Sequence, residues 1–292
     1  MNRLFPIAIF ILICQHVSIA QATDYKIYAT ATKQEIALED LINAVEDAHV
    51  LFFGEEHDDS LAHVLQDRIY RMMLERYGTV TLSMEMFETD VQIVLDEYLA
   101  GFITEDILKK DARAWKNYET DYRPLVERAK AEKQIVIAAN APRRYVNLVS
   151  RRGLAALNDL PKASRQFLPK LPIYTGDKPY YDRFQNVMGE AGHGASDRFF
   201  YAQCTWDASM AYSIFAYWKK HKKERIFHLN GRFHTDYQQG TITQLRRLSK
   251  KIKIQNISCF PVADFEQPDW EKYAERGDFV IISKAEKEEV AP

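Results

Sequence analysis

Residues 50–57 read Val-Leu-Phe-Phe-Gly-Glu-Glu-His, an apolar run that ends at a glycine and is followed by two acids and a histidine. A short apolar run without a polar interruption is typical of a strand that is buried on both faces of a parallel sheet. After this run, apolar residues recur at intervals of three to four, as on one face of an amphipathic helix: Leu61, Leu65, Ile69 and Met72 or Met73. The stretch therefore predicts a buried strand followed by a helix.

The same alternation of strand and helix continues along the chain. Apolar runs predict further strands at residues 80–84, 135–139, 226–229, 252–257 and 279–282. Helical spacing and capping residues predict helices at residues 38–45, 91–99, 124–133 and 197–218, and another helix that ends at Gly153. Because parallel strands are joined by helical crossovers, we expect an α/β protein with a mostly parallel sheet covered by helices on both faces and a smaller helical or loop-rich inserted subdomain.

Residues 160–196 interrupt this rhythm with several prolines and a cluster of tyrosines. A segment of this length without clear secondary structure is usually functional or flexible, so an inserted subdomain or lid is predicted here. The α/β domain is then predicted in two parts, residues 23–159 and residues 197–284. The charged residues 285–292 are predicted to form a frayed tail.

Residues 1–22 are typical of a secretory signal peptide. Arg3 precedes an apolar run over residues 4–14, and cleavage is expected after Ala20 or Ala22. The run is about half of the roughly 20 residues that span a bilayer, so export is predicted and a permanent anchor is not. A lipid anchor on Cys14 is disfavoured because the preceding residue is an isoleucine. We therefore expect a protein that is secreted across the inner membrane and is periplasmic or envelope-associated.

The composition excludes several classes of protein. The chain has 292 residues, of which 47% are hydrophobic and 27% charged, as in an ordinary globular protein. Its 39 basic and 41 acidic residues nearly cancel, so no global field attracts nucleic acid. The motifs for covalent haem attachment (C-x-x-C-H), zincins, phosphate loops and serine hydrolases are absent from the sequence. Outside the predicted signal peptide, Cys204 and Cys259 either form a disulfide or are two buried thiols.

Polar residues stand where the predicted strands end: Glu55, His57, Glu85, Asn140 and His234. The carboxyl ends of parallel strands lie at one edge of a sheet, where open α/β folds bind ligands. Two of these segments share the pattern G-x-x-H, in which the glycine lets the backbone turn sharply off the strand. We therefore expect these side chains to surround one cavity.

Imidazole and carboxylate groups together are common ligands of transition metals. Glu55, His57, Glu85 and His234 are accordingly candidate ligands of a divalent metal ion. The alternative is that strand-end acids only cap the next helix, as Asp58, Asp59 or Ser60 would do. Arg143, near the sheet edge, either clamps a carboxylate or phosphate or belongs to a solvated helix face.

A set of segments, in a fixed order between Leu38 and Leu248, carries a family resemblance. They are residues 51–58 with His63 and Gln66, residues 84–87 with Gln92, Tyr98 and Gly101, Trp115, residues 122–125 and 138–143, Ala202 and Gln203 with Asp207, Met210 and Ala211, and residues 231–234. Together they resemble the ChaN family of haem-binding, iron-regulated proteins, in the haem-binding uptake and Tiki superfamily.

The resemblance implies noncovalent binding of ferric haem (iron protoporphyrin IX), a haem-bridged homodimer, and haem or iron acquisition at the cell envelope with outer-membrane uptake components as partners. The haem ligand of the family is a tyrosine, and Tyr174, Tyr180 and Tyr181 are candidates by their location in the insertion. The predicted haem-binding residues are thus Glu55, His57, Glu85, Asn140, Arg143, Tyr180, Tyr181, His193 and His234.

Two other hypotheses remain open beside haem binding. Relatives in the superfamily are proposed metal-dependent peptidases, which implies a metal-dependent hydrolase of the Tiki or TraB type that uses Glu55, His57, Glu85 and His234. Enzymatic activity is the less favoured interpretation, and no catalytic residue is assigned. The last hypothesis is a scaffold protein whose acids only cap helices.

Overall fold

The computed structural model describes residues 24–190 and 196–285, and within these ranges eight strands form one sheet. The strands are β1 (Tyr25–Ala29), β2 (Gln34–Ile36), β3 (Val50–Glu55), β4 (Val80–Glu88), β5 (Val136–Asn140), β6 (Arg225–Gly231), β7 (Ile254–Val262) and β8 (Phe279–Lys284). Their order is β2-β1-β8-β7-β3-β6-β4-β5. The six strands from β8 to β5 are parallel to one another, and the two at the other edge pair antiparallel.

All six strands predicted from apolar runs are confirmed, and β1 and β2 are additional. Lys26 interrupts the apolar residues of β1, and β2 has only three residues, so neither strand gives a clear apolar run. The pair forms a hairpin whose Ile27 pairs with Ile36 and with Ile281 of β8. This hairpin closes the edge of the sheet that lies away from β5.

The helices alternate with the strands as predicted. They are α1 (Leu38–Ala44), α2 (Ser60–Tyr77), α3 (Gln92–Leu99), α4 (Glu105–Asp111), α5 (Arg123–Ala131), α6 (Arg143–Arg152), α7 (Lys162–Arg165), α8 (Lys178–Glu190), α9 (Asp197–Lys220), α10 (Thr241–Leu248) and α11 (Trp270–Tyr273). Local signals set their ends: the Asp59 carboxylate caps α2 by accepting the amides of Leu61 and Ala62 at 3.0 and 3.2 Å, and Gly153 ends α6 at a φ of 80°.

Helices cover both faces of the sheet, which confirms the α/β fold. Leu51 and Phe53 of β3 pack with α1, α2, α3 and α5 on one face. Their neighbours Val50 and Phe52 point to the opposite face, where they pack with α9 and α10. This alternation follows from the two-residue period of a strand and explains why the run has no polar residue.

The insertion contains two helices, α7 and α8, and α8 packs on α6 and α9 through Tyr180 and Phe184. This places α8 beside the carboxyl end of β6, where the Arg183 guanidinium donates to the Phe233 carbonyl oxygen at 2.7 Å. The independence of the insertion as a subdomain stays a prediction. Cys204 and Cys259 are both buried and unpaired.

Some predictions fall outside the described residues, namely the signal peptide of residues 1–22, the site residue His193, and residues 286–292 of the tail. Among residues 24–190 and 196–285, no helix is both long enough and apolar enough to cross a bilayer.

Candidate functional site

The carboxyl end of β3 holds a buried glutamate with three side-chain hydrogen-bond partners. Glu55 accepts hydrogen bonds from the Tyr122 hydroxyl at 2.6 Å, from the Gln66 amide and from His57 Nδ1 at 2.8 Å. The bond to Glu55 places the proton on Nδ1 of His57, so Nε2 is the nitrogen left for other contacts. The side chain of His57 is 44% exposed. Burial lowers the pKa of His57, but the hydrogen bond to Glu55 and the charges of Glu85 and Glu55 outweigh it and raise the pKa overall.

The glycines of the two G-x-x-H segments provide space between β3 and β6. A Cβ at Gly54 would lie 2.8 Å from Arg232 Cα, and a Cβ at Gly231 would lie 2.7 Å from His57 Nε2. Neither glycine has the positive φ of a left-handed turn. The close approach of the two strand ends is therefore what requires glycine at these two positions, and the chain turns directly after Gly231 into a 3-10 helix over Arg232–His234.

The second histidine, His234, lies between two buried carboxylates. Its Nδ1 is 2.7 Å from Asp207 Oδ1, and its Nε2 is 3.5 Å from Glu85 Oε1. Burial lowers the pKa of His234, but the charges of Glu85 and Asp207 outweigh burial and raise it to about 10. Burial likewise raises the pKa of Glu85, but the charge of His234 outweighs it and lowers the pKa to about 2. His234 is thus an imidazolium at neutral pH.

Further buried groups fix the position of Asp207. The Tyr180 hydroxyl donates to Asp207 Oδ2 at 2.9 Å, and the Thr241 hydroxyl donates to Oδ1 at 2.9 Å. The Gln203 amide donates to the Tyr180 oxygen at 2.9 Å. Burial, together with the charge of Asp207, holds the pKa of Tyr180 well above its ordinary value, so Tyr180 remains a neutral phenol.

Glu55, His57 and His234 line one cleft of about 630 Å³. Glu85 lies directly behind this cleft, where it pairs with His234 and accepts a hydrogen bond from the Gly231 amide. We call this cleft the His57 cleft. Helix α8 forms its other wall. The remaining lining residues include four apolar or aromatic side chains and three arginines: Phe184, Val187, Met188, Phe233, Arg183, Arg232 and Arg276. The structure thus brings Glu55, His57, Glu85 and His234 together at this edge of the sheet, whereas Asn140 does not line the cleft.

Three predicted haem-binding residues lie elsewhere. Asn140 is buried and accepts the amide of Ala141 at 2.9 Å. The Tyr181 hydroxyl donates to Asp197 at 2.7 Å beside a different surface cavity, because adjacent residues on a helix point about 100° apart. Arg143 lines a second cleft. Tyr180 lies behind the His57 cleft and is only 2% exposed.

Several residues of the His57 cleft were missed by the sequence reasoning, and Tyr237 and Arg183 are the two that bear most on its chemistry. Tyr237 lies in a short turn after His234, is 39% exposed, and makes no hydrogen bond through its hydroxyl within the described residues. Its φ of 60° is unusual for a tyrosine, and such backbone conformations cluster at ligand sites. Arg183 of α8 places its guanidinium 5.1 Å from the Tyr237 ring. The only sequence signal for Tyr237 was that it follows the second G-x-x-H segment closely, and there was no sequence signal for Arg183.

The four residues predicted as metal ligands come together as two pairs, Glu55 hydrogen-bonded to His57 and Glu85 in an ion pair with His234. In the part of the chain that the structure describes, no three His, Cys, Asp or Glu side chains are grouped so that they could hold a metal ion. Metal binding by these four residues therefore stays a prediction.

The fold is similar to that of a solved structure, "Cofacial heme binding to ChaN of Campylobacter jejuni". The two chains are 18% identical, the match covers 89% of this chain and 97% of that one, and the TM-score is 0.69. The type III effector HopBA1 (10% identity, 85% and 94% covered, TM-score 0.48) and a Bacillus cereus protein (15% identity, 77% and 70% covered, TM-score 0.46) are more distant. No curated protein matches the chain.

The sequence profile of one protein family matches residues 41–245, which include β3 to β6, both G-x-x-H segments and most of the His57 cleft. That family is described as "Haem-binding uptake, Tiki superfamily, ChaN". Since the match covers more than half of the sequence, the chain belongs to this ChaN family.

Proposed function

We propose that the protein binds haem noncovalently in the His57 cleft. The observation that carries this proposal is the set of side chains in the cleft: a free phenol at Tyr237 stands beside Arg183, whose buried Nε has no hydrogen-bond partner in the described structure. A phenolate oxygen suits ferric iron, and guanidinium groups suit propionates. The family description, and the cofacial haem binding described for the Campylobacter jejuni protein, support the same ligand.

The walls of the cleft fit the apolar body of a porphyrin. Phe184, Val187 and Met188 of α8 lie on one side, and Phe233 lies below the Arg183 guanidinium at 4.2 Å. Val187 is 47% exposed although it is apolar. A large apolar ligand in the cleft would cover this surface. Removing the apolar surface from water would make binding more favourable.

When bound, haem would supply an iron centre for storage, transfer or redox chemistry. The chain's own residues would hold it: Tyr237 as the iron ligand, Arg183 and Arg276 as partners of the propionates, and His57 as a hydrogen-bond donor or second ligand at the sheet edge. We further propose a role in haem or iron handling at the cell envelope, with a haem-bridged homodimer and uptake components as partners. The family description and the signal-like residues 1–22 support this role.

Haemin titration followed at the Soret band tests the proposal. We expect saturable binding to the full chain, and we expect Arg183→Met to weaken it by at least about tenfold, because a hydrogen bond to a charged group contributes about 1.5–3 kcal/mol. Haemin dimethyl ester, which lacks the propionate charges, should lose much less affinity in the same variant.

Arg198→Met is the matched control, since Arg198 also donates to a backbone carbonyl, that of Arg151 at 2.7 Å, but lies outside the cleft. The control should bind haemin as the unmodified chain does. Absence of a saturable Soret change in the unmodified chain would refute haem binding, and equal losses for haemin and its ester would remove Arg183 as a propionate partner.

A further inference from the structure

A second cleft, of about 650 Å³, lies at the same sheet edge, beyond the ends of β4 and β5. We call it the Trp115 cleft. Trp115 lines it and also contacts the His57 ring edge-on at 5.1 Å between ring centroids, so this indole lies between the two clefts. None of the residues that line one of these clefts also lines the other.

The charges of the Trp115 cleft are unbalanced. Four cationic side chains line it: Arg113, Lys116, Arg143 and Arg144. Two of them are neutralised within the protein, because Arg113 donates to Glu88 at 2.7 Å and to Asp90 at 2.5 Å, and Arg144 donates to Asp90. The carboxylates of Glu88 and Asp90 are therefore already paired with arginines.

The other two cations have no partner of their own. Within the described residues, neither the Lys116 ammonium nor the Arg143 guanidinium forms an ion pair or a side-chain hydrogen bond. Arg143 is also the first residue of α6, so the partial positive charge of this helix terminus adds to the same region. The cleft therefore has an uncompensated positive field that favours an anion.

Apart from Glu88 and the polar Asn117, the rest of the lining is apolar. Trp115 is accompanied by Met86, Ala112 and Ala114, and the Trp115 indole N–H makes no hydrogen bond within the described residues. A flat ring can pack against an indole in an offset or edge-on arrangement. Next to this surface, Arg113 has a φ of 54° as the left-handed residue that ends α4, where the Ala114 amide donates to the Lys109 carbonyl oxygen at 3.0 Å.

We propose that the Trp115 cleft binds a small planar aromatic carboxylate, with its ring against Trp115 and its carboxylate paired with Arg143 and Lys116. This site is separate from the proposed haem site and does not depend on haem binding. The arrangement is that of many small-molecule sites, in which an apolar surface gives affinity and a few charged groups fix orientation.

Isothermal titration calorimetry of the full chain with 1-naphthoate tests the proposal. We expect a Kd of roughly 0.1 mM, which is ordinary for a ligand of this size. The neutral analogue 1-naphthamide should bind at least tenfold more weakly, since it lacks the charge. Inorganic phosphate should also bind at least tenfold more weakly, since it lacks the ring.

The double substitution Lys116→Gln with Arg143→Gln should abolish naphthoate binding and leave haemin affinity unchanged. Its matched control is Lys110→Gln with Arg151→Gln, a pair on α4 and α6 that lies outside the cleft and should bind as the unmodified chain does. The proposal is overturned by no saturable heat with naphthoate, by equal binding of the amide or of phosphate, or by an equal loss in both double variants. A parallel loss of haemin affinity would also overturn it, because the two clefts would then be one site.

Discussion

Replacing His234 by alanine is expected to lower the free energy of unfolding by about 3–5 kcal/mol, the range observed when one partner of a buried ion pair is removed. The substitution leaves the carboxylates of Glu85 and Asp207 buried without their shared cation. Urea unfolding of the variant and of the unmodified chain gives the difference. The half-buried His221, whose only ion pair within the described residues is at the surface with Glu224, provides the control, since His221→Ala should change stability much less, by about 0.5 kcal/mol.

A double-mutant cycle separates charge from packing in this experiment. If Glu85 is first changed to glutamine, removal of His234 should cost about 1–3 kcal/mol less than in the unmodified chain.

The pH dependence of the free energy of unfolding gives a second readout. Because the pKa of His234 rises from 6.5 to about 10 on folding, its contribution to stability is full below pH 6.5 and is lost as the pH rises towards 10, at up to about 1.4 kcal/mol per pH unit. This decline should be absent in His234→Ala, and an unchanged slope would contradict the assignment of an imidazolium.

Replacing Tyr237 by phenylalanine is expected to weaken haemin binding about 100-fold and to shift the charge-transfer bands of the ferric complex. Even outer partners of metal ligands contribute 10–100-fold to metal affinity, and a ligand contributes at least as much. The tyrosine hydroxyl makes no hydrogen bond in the described structure, and the ring remains in the variant, so stability should be unchanged. The measurement is a haemin titration read at the Soret band.

Tyr181→Phe is the matched control for this titration. Tyr181 belongs to α8 as the cleft wall does, but its hydroxyl contacts Asp197 outside the His57 cleft. Its variant should bind haemin with the affinity of the unmodified chain. The opposite pattern, a large loss of haemin affinity in Tyr181→Phe and none in Tyr237→Phe, would contradict this assignment. It would show that the iron is coordinated by Tyr181, which was predicted from sequence.

The convergence of Glu55, His57, Glu85 and His234 could be predicted from sequence because parallel strands end at one edge. An apolar run identifies such a strand, and the residues after it must then lie at that edge. The sequence does not give the order of the strands. Since β5 lies beyond β4 from β6, Arg143 after β5 lines the Trp115 cleft and not the His57 cleft.

The residues that could not be predicted depend on tertiary packing. Arg183 belongs to the insertion, whose proline-rich sequence gives no indication that α8 packs beside His234. Tyr237 points into the cleft through a turn with a left-handed backbone, which no periodicity indicates. Asp207 is one position on a long helix, and only the fold shows that it faces His234 at 2.7 Å.

The most direct measurement is the position of the iron in crystals grown with haemin, located by anomalous diffraction at the iron absorption edge. Binding in the His57 cleft predicts one iron peak per chain within bonding distance of the Tyr237 oxygen, between α8 and the end of β6. An iron peak beside Tyr181 or in the Trp115 cleft, or crystals in which haemin leaves no ordered iron peak, would contradict haem binding by Tyr237 in the His57 cleft.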